Sequence, residues 1–139
     1  MLTPMVPDDL QREALEDAVT LAVCDDRDIR ERAFRDDQWP EVRGGTLEFS
    51  ACRFERCVFS PNGADRLVFV DCIFDKCDLS GMSFVKSTFQ RVRFSGCRMT
   101  GAQFSEAPLM NVRFDGCQLD LAVFADLKAR HVTFSDCAM

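Results

Sequence analysis

Apolar residues recur at every fifth position from Phe49 to Met139, the last residue of the 139-residue chain. Of the 19 positions in this series, 12 are Phe and the others are Leu, Met or Ala. A second series lies two residues earlier in each pentad and holds seven of the eight cysteines. A period of five fits neither the helical period of 3.6 nor the strand period of 2. The pattern therefore predicts an internal repeat whose backbone turns every five residues and points two residues of each pentad inward.

The individual pentads share one composition: a small or apolar residue, any residue, then Phe or Leu, then two residues that are mostly polar. Examples are CRFER, CIFDK, CDLSG, VRFSG and CQLDL. This pattern resembles the pentapeptide-repeat family. The resemblance implies an all-β solenoid, a right-handed quadrilateral parallel β-helix in which four pentads, about 20 residues, form each coil.

Residues 20 apart agree in type, as that geometry requires. Because adjacent coils lie about 4.8 Å apart, each inward side chain packs on its equivalent in the next coil. We expect two such columns to form the structural core. The aromatic column is Phe54, Phe74, Phe94, Phe114 and Phe134, and the thiol column contains Cys57, Cys77, Cys97 and Cys117.

The cysteines allow a metal or disulfide interpretation as well as a structural one. Zinc needs four ligands that converge tetrahedrally, whereas residues five apart, such as Cys52 and Cys57, lie on adjacent sides of a coil. A disulfide needs two Cβ atoms turned toward each other, whereas stacked side chains point the same way. We therefore favour small buried thiols in a reducing compartment, with no metal and no cofactor.

Residues 1–45 lack the regular repeat, and we interpret them as an acidic N-terminal cap that precedes the solenoid of residues 46–139. Pro7, Asp8 and Asp9 predict the start of a helix that ends near Cys24. Its predicted apolar stripe would cover the open end of the solenoid. The stripe is Leu10, Ala14, Ala18, Leu21 and Ala22.

A degenerate first coil is predicted after this helix. Ile29, Phe34 and Trp39 again step by five, although Arg32 and Asp37 occupy the inner minor positions. Within the regular part, residues 61–63 read Pro-Asn-Gly and predict a turn that interrupts one pentad.

The formal net charge of −6 lies entirely in the cap. Residues 1–45 hold six basic and twelve acidic residues, and residues 46–139 hold eleven of each. The resemblance also implies one specific activity as an alternative, namely that of a DNA-mimicking modulator of DNA gyrase or topoisomerase IV. Such mimicry needs a strongly negative rod, whereas this rod is neutral and stacks Arg53, Arg93 and Arg113 outward. We keep gyrase as the alternative partner, and we do not expect nucleic-acid binding.

The leading interpretation is a non-catalytic protein-interaction module or scaffold, such as a bacterial accessory or effector protein with an unidentified protein partner. Exposed apolar area often marks a partner surface, although single exposed apolar residues are common. Two outward groups are candidate partner-binding surfaces. One face would carry Val68, Val70, Pro108 and Met110, and another would carry Val85, Leu121, Val123 and Ala125.

The last coil is a candidate dimer end, because its strand edge would pair with a second copy. We expect a homodimer that uses Val132, Phe134, Cys137 and Met139. The single histidine, His131, has no nucleophile or orienting group that the sequence can place beside it, so we do not expect an enzyme. The sequence has no signal peptide and no membrane-spanning run, so we expect a cytoplasmic protein.

Overall fold

The computed structural model describes residues 2–25, 28–42, 44–59 and 66–139, without the side chains of residues 24 and 25. The described chain is a parallel β-solenoid of about six turns with one short helix. The predicted turn at residues 61–63 and the Cys24 side chain lie outside the described part. The elements are β1 (Gln11–Arg12), α1 (Leu15–Asp25), β2 (Ile29–Arg30), β3 (Arg32–Arg35), β4 (Thr46–Ser50), β5 (Arg53–Glu55), β6 (Arg66–Asp75), β7 (Thr88–Ser95), β8 (Pro108–Asp115) and β9 (Lys128–Ser135).

Strand pairing in the regular coils advances by 20 residues at each step, which confirms the predicted coil length. Phe54 pairs with Phe74, and the same register carries the column on to Phe134. Short bridges complete the other sides of the rod, for example from Ser83 to Gln103 and on to Val123. Every pairing between the strands is parallel, as coils wound in one direction require.

Phenylalanine rings fill the interior as stacked columns. The ring centroids of Phe54 and Phe74 lie 4.6 Å apart, with 6° between their planes. The column continues through Phe94 and Phe114 at 4.8 and 4.9 Å. These four rings are fully buried, as predicted. Phe134 was predicted in the same core, but its side chain is 41% exposed because no coil covers it.

The cysteines are small buried thiols that bond to the coil below. Cys77 and Cys97 each donate through Sγ to a phenylalanine carbonyl 23 residues earlier, at 3.3 Å. Cys57 and Cys117 are also buried, and every cysteine whose side chain is described is a free thiol. Burial raises the pKa of the Cys72 thiol well above its usual value, because an ionised sulfur has little access to water there. Among the described residues, no group of three His, Cys, Asp or Glu side chains could hold a metal ion.

The N-terminal helix begins later than the sequence predicted. Residues 11–12 form β1, which pairs with Arg32 and Ala33, and α1 starts only at Leu15. Two polar groups of the first coil fix this start. The backbone N–H of Leu15 donates to Asp37 Oδ2 at 3.1 Å, and Arg32 Nε donates to Glu13 Oε2 at 2.9 Å. These tertiary contacts therefore override the local sequence signal, Pro7 followed by two aspartates, that predicted an earlier helix start.

The helix face that packs on the rod also differs from the predicted stripe. Ala14 and Leu21 are exposed, and Leu10 lies outside the helix. The residues that cover the core are Leu15, Ala18, Val19 and Ala22. In the segment predicted as a degenerate first coil, Ile29, Phe34 and Trp39 are buried, and its strands pair with the next coil.

Candidate partner-binding surfaces

The first predicted surface lies on one sheet face, but its apolar residues are not contiguous. Val68 pairs with Thr88, and Gln90 lies between Val70 and Met110. One polar coil therefore separates the valine pair from Met110 and from its neighbour Pro108. Met110 is 38% exposed, while the other three are half-buried. A role for this face in binding stays a prediction.

The second predicted surface divides in the same way. Val85 is half-buried and lies two coils from Ala125, with Ser105 in the coil between them. Leu121 and Val123 belong to the last coil, where they are 82% and 41% exposed. These two residues therefore share a surface with the C-terminal end rather than with Val85.

The C-terminal end combines exposed apolar side chains with a strand edge. Strand β9 ends the sheet order and, in the described chain, pairs with β8 alone. Phe134 stacks on Phe114 at 4.9 Å, and its side chain is 41% exposed. Met139 is 75% exposed, while Val132 and Cys137 are half-buried. The predicted dimer-end residues thus lie together on the last coil with Leu121 and Val123.

One corner of this last coil carries an unusual residue. Turns close the corners at Met82 and Ala102, whose backbone N–H groups donate to the carbonyls three residues earlier. The third position of these turns has a left-handed φ, 68° at Gly81 and 71° at Gly101. In the last coil this position is Leu121, with φ of 63°. A leucine pays a steric cost of about 1–2 kcal/mol there.

Some of the carboxylates on the outside of the rod are paired with arginines. Arg91 Nε contacts Asp71 Oδ1 at 2.6 Å and Nη2 contacts Oδ2 at 2.9 Å, and this pair lowers the pKa of Asp71 below its usual value. Asp115 accepts from both Arg93 and Arg113, at 3.1 and 2.8 Å. Arginines therefore neutralise these two carboxylates.

Residues 2–10, called the strap from here on, form a further surface that the sequence did not predict. The strap has no regular secondary structure, bends at Asp8 and Asp9, and lies along the rod until β1 begins. Its backbone contacts side chains of two distant coils, through Asp71 and Asn111. Two prolines in its sequence, Pro4 and Pro7, are the one local signal for an extended course.

Residues 45–124 and again 67–139 match the family described as having a pentapeptide repeat region. The chain belongs to the pentapeptide-repeat family. A similar solved structure is the pentapeptide repeat protein Rfr23 from the cyanobacterium Cyanothece 51142. The two chains are 9% identical, with a TM-score of 0.55 over 90% of this chain and 99% of that one.

Another similar structure is trypsin-treated QnrB1, which is described as a plasmid-mediated fluoroquinolone resistance protein. It is 19% identical with a TM-score of 0.46, over 80% of this chain and 64% of that one. At these identities the likeness concerns the fold alone. No curated protein matches this pentapeptide-repeat chain significantly in sequence. Among its described residues, no helix is long and apolar enough to cross a membrane.

Proposed function

We propose that this pentapeptide-repeat chain is a non-catalytic protein-interaction module that forms a homodimer through its last coil. The observation that carries the proposal is the coincidence of a strand edge with exposed Leu121, Phe134 and Met139 at one end of the rod. An open strand edge is a template for pairing with another chain. Large apolar side chains contribute about 1.5–3 kcal/mol each when a contact buries them fully.

A second copy of the chain is a suitable partner for the C-terminal end, because identical side chains already pack on one another inside the solenoid. A two-fold related copy would set Phe134 near its own equivalent and extend the aromatic column across the interface. Lys128 and Arg130 share the register of Pro108 and Met110, so they project from the side of the rod rather than from its end. These two charges therefore do not obstruct the contact.

Leu121 supports the proposal independently. Its left-handed backbone is costly, and its side chain is 82% exposed, so it gains little burial within one chain. A left-handed φ recurs at corners along the described solenoid, so the exposed leucine side chain is the specific feature here. Burial against a second copy supplies a compensating gain for this position.

The test is sedimentation velocity on the 139-residue chain across a range of concentrations. We expect the 15.8 kDa species to associate into a dimer. Replacing both Leu121 and Met139 with Asp is expected to abolish association while leaving the folded monomer intact, because both side chains are largely exposed. Leu21→Asp on α1 is the matched control, since it places a charge on an exposed apolar position away from the end. A monomer at all concentrations, or an unchanged dimer in the double variant, contradicts the proposal.

The alternative proposal, a DNA-mimicking modulator of DNA gyrase or topoisomerase IV, has less support. Mimicry depends on unpaired negative charge along the rod. The carboxylates of Asp71 and Asp115 are instead bound by arginines at 2.6–3.1 Å. Residues 46–139 also hold equal numbers of acidic and basic residues, so the rod offers such an enzyme little net charge of the required sign.

A further inference from the structure

The strap is held to the rod by two hydrogen bonds from its backbone. The N–H of Leu2 donates to Asn111 Oδ1 at 3.2 Å, and the N–H of Met5 donates to Asp71 Oδ1 at 3.1 Å. Asp71 and Asn111 occupy the same corner of the rod two coils apart, and both have left-handed backbones. The two acceptors thus face the same extended segment.

The spacing of the acceptors matches the repeat of an extended chain. Two coils separate the acceptors by about 9.6 Å, and the three residues from Leu2 to Met5 span about 10 Å when extended. Toward β1 the chain is longer than a fully extended path requires. The corner position of Asn111 lies five coils from that of Gln11, a distance of about 24 Å. The nine residues from Leu2 to Gln11 span about 30 Å when fully extended. An extended peptide can therefore follow this corner across successive coils.

The contact combines backbone, proline and half-buried apolar side chains. Pro4 lines one cleft together with Ile73 and Arg93, and Pro7 lines a second cleft with Ile73 and Arg53. Val6 and Leu10 are half-buried and line the second cleft as well, whereas Leu2 and Met5 are 59% and 74% exposed. The corner consequently recognises an extended, proline-containing segment through its backbone, its prolines and its half-buried apolar side chains.

We propose that this corner is a binding site for an extended, proline-containing peptide, which the strap occupies in cis until a similar segment of a partner polypeptide displaces it. A short tether holds the strap at an effective concentration on the order of millimolar. A partner segment must compete with that concentration, so its apparent affinity is lowered while the strap is bound.

The strap can be weakened without altering the corner. Met5→Pro removes the N–H that donates to Asp71, whereas Met5→Ala keeps the N–H and removes only the exposed side chain. The probe is a fluorescent peptide with the sequence of residues 2–10, added to each full-length protein and followed by anisotropy. We expect Met5→Pro to bind it about fivefold more tightly than the wild type, the factor that one ordinary hydrogen bond gives. Met5→Ala should bind it as the wild type does.

A second variant tests the corner itself. Asn111→Gly removes the acceptor for Leu2 and suits the left-handed φ of 58°. Combined with Met5→Pro, it should weaken peptide binding again. Amide hydrogen exchange of the wild type supplies a test that needs no variant, since the Leu2 and Met5 amides should be protected. Equal affinity of the two Met5 variants, no effect of Asn111→Gly, or exchange at free-peptide rates would overturn the proposal.

Discussion

Replacing Phe94 with Ala is expected to lower the free energy of unfolding by about 3–5 kcal/mol. The ring is fully buried and stacked between Phe74 and Phe114, at 4.8 and 4.9 Å. Burial of a Phe side chain contributes about 1.5–3 kcal/mol, and each stacked pair adds about 0.5–1.5 kcal/mol. Because strand pairing fixes the spacing of the coils on both sides, the cavity left by the ring cannot collapse. The loss should therefore fall within the range seen for large core truncations.

Phe134→Ala is the matched control, since it removes the same side chain from the end of the same column. Phe134 is 41% exposed and stacks on Phe114 alone within its column, so we expect a loss of about 1–2 kcal/mol. Urea denaturation of both variants, at concentrations that keep the chain monomeric, measures the difference. Equal losses, or a loss below about 1 kcal/mol for Phe94→Ala, would refute the view that buried ring stacking is the main source of stability.

Two further predictions concern the thiols and an ion pair. In a Cys24→Ser chain at concentrations that keep it monomeric, alkylation under native conditions should modify Cys137 alone, because the other described thiols are buried. Mass spectrometry that finds Cys97 modified at a similar rate would contradict this. Asp71 has a lowered pKa because Arg91 binds its carboxylate. Its contribution to stability is therefore fully present above the ordinary Asp pKa of about 3.9. That contribution is lost as the pH falls through the lower pKa that Asp71 has in the folded protein. The difference in unfolding free energy between the wild type and Asp71→Asn should accordingly be largest near neutral pH and shrink below about pH 4. Urea denaturation midpoints measured across this pH range test it. A difference that does not depend on pH would show that the ion pair does not stabilise the fold.

The interior could be predicted because a period of five restricts the chain to very few arrangements. Once coils of 20 residues are assumed, Phe74 must lie on Phe54 and Cys97 on Cys77, and strand pairing confirms both columns. The 20-residue coil length also predicts that the proposed surface patches are interrupted. Val70 and Met110 are 40 residues apart, which is two coils, so the character of Gln90 between them decides whether the patch is continuous.

The N-terminal cap could not be predicted in the same way, because its geometry depends on contacts far along the chain. The helix begins at Leu15 because Asp37 accepts its N–H, and β1 forms because β3 lies beside it. The strap depends on Asp71 and Asn111, which are 66 and 109 residues from their donors. Nothing in the local sequence of residues 2–10 encodes those acceptors.

The two ends of the rod differ, and this difference determines the assembly that the last coil can form. At the N-terminal end, β1 pairs with the outer edge of β3, and α1 packs on β2 and β4. The first coil is therefore covered by β1 and α1, while in the described chain β9 has no strand beyond it. A head-to-tail contact between the two ends would build a filament, and α1 is the element that such a contact would have to displace. If the proposed self-association through the last coil joins two identical ends, it closes after two copies and gives a dimer that does not grow further.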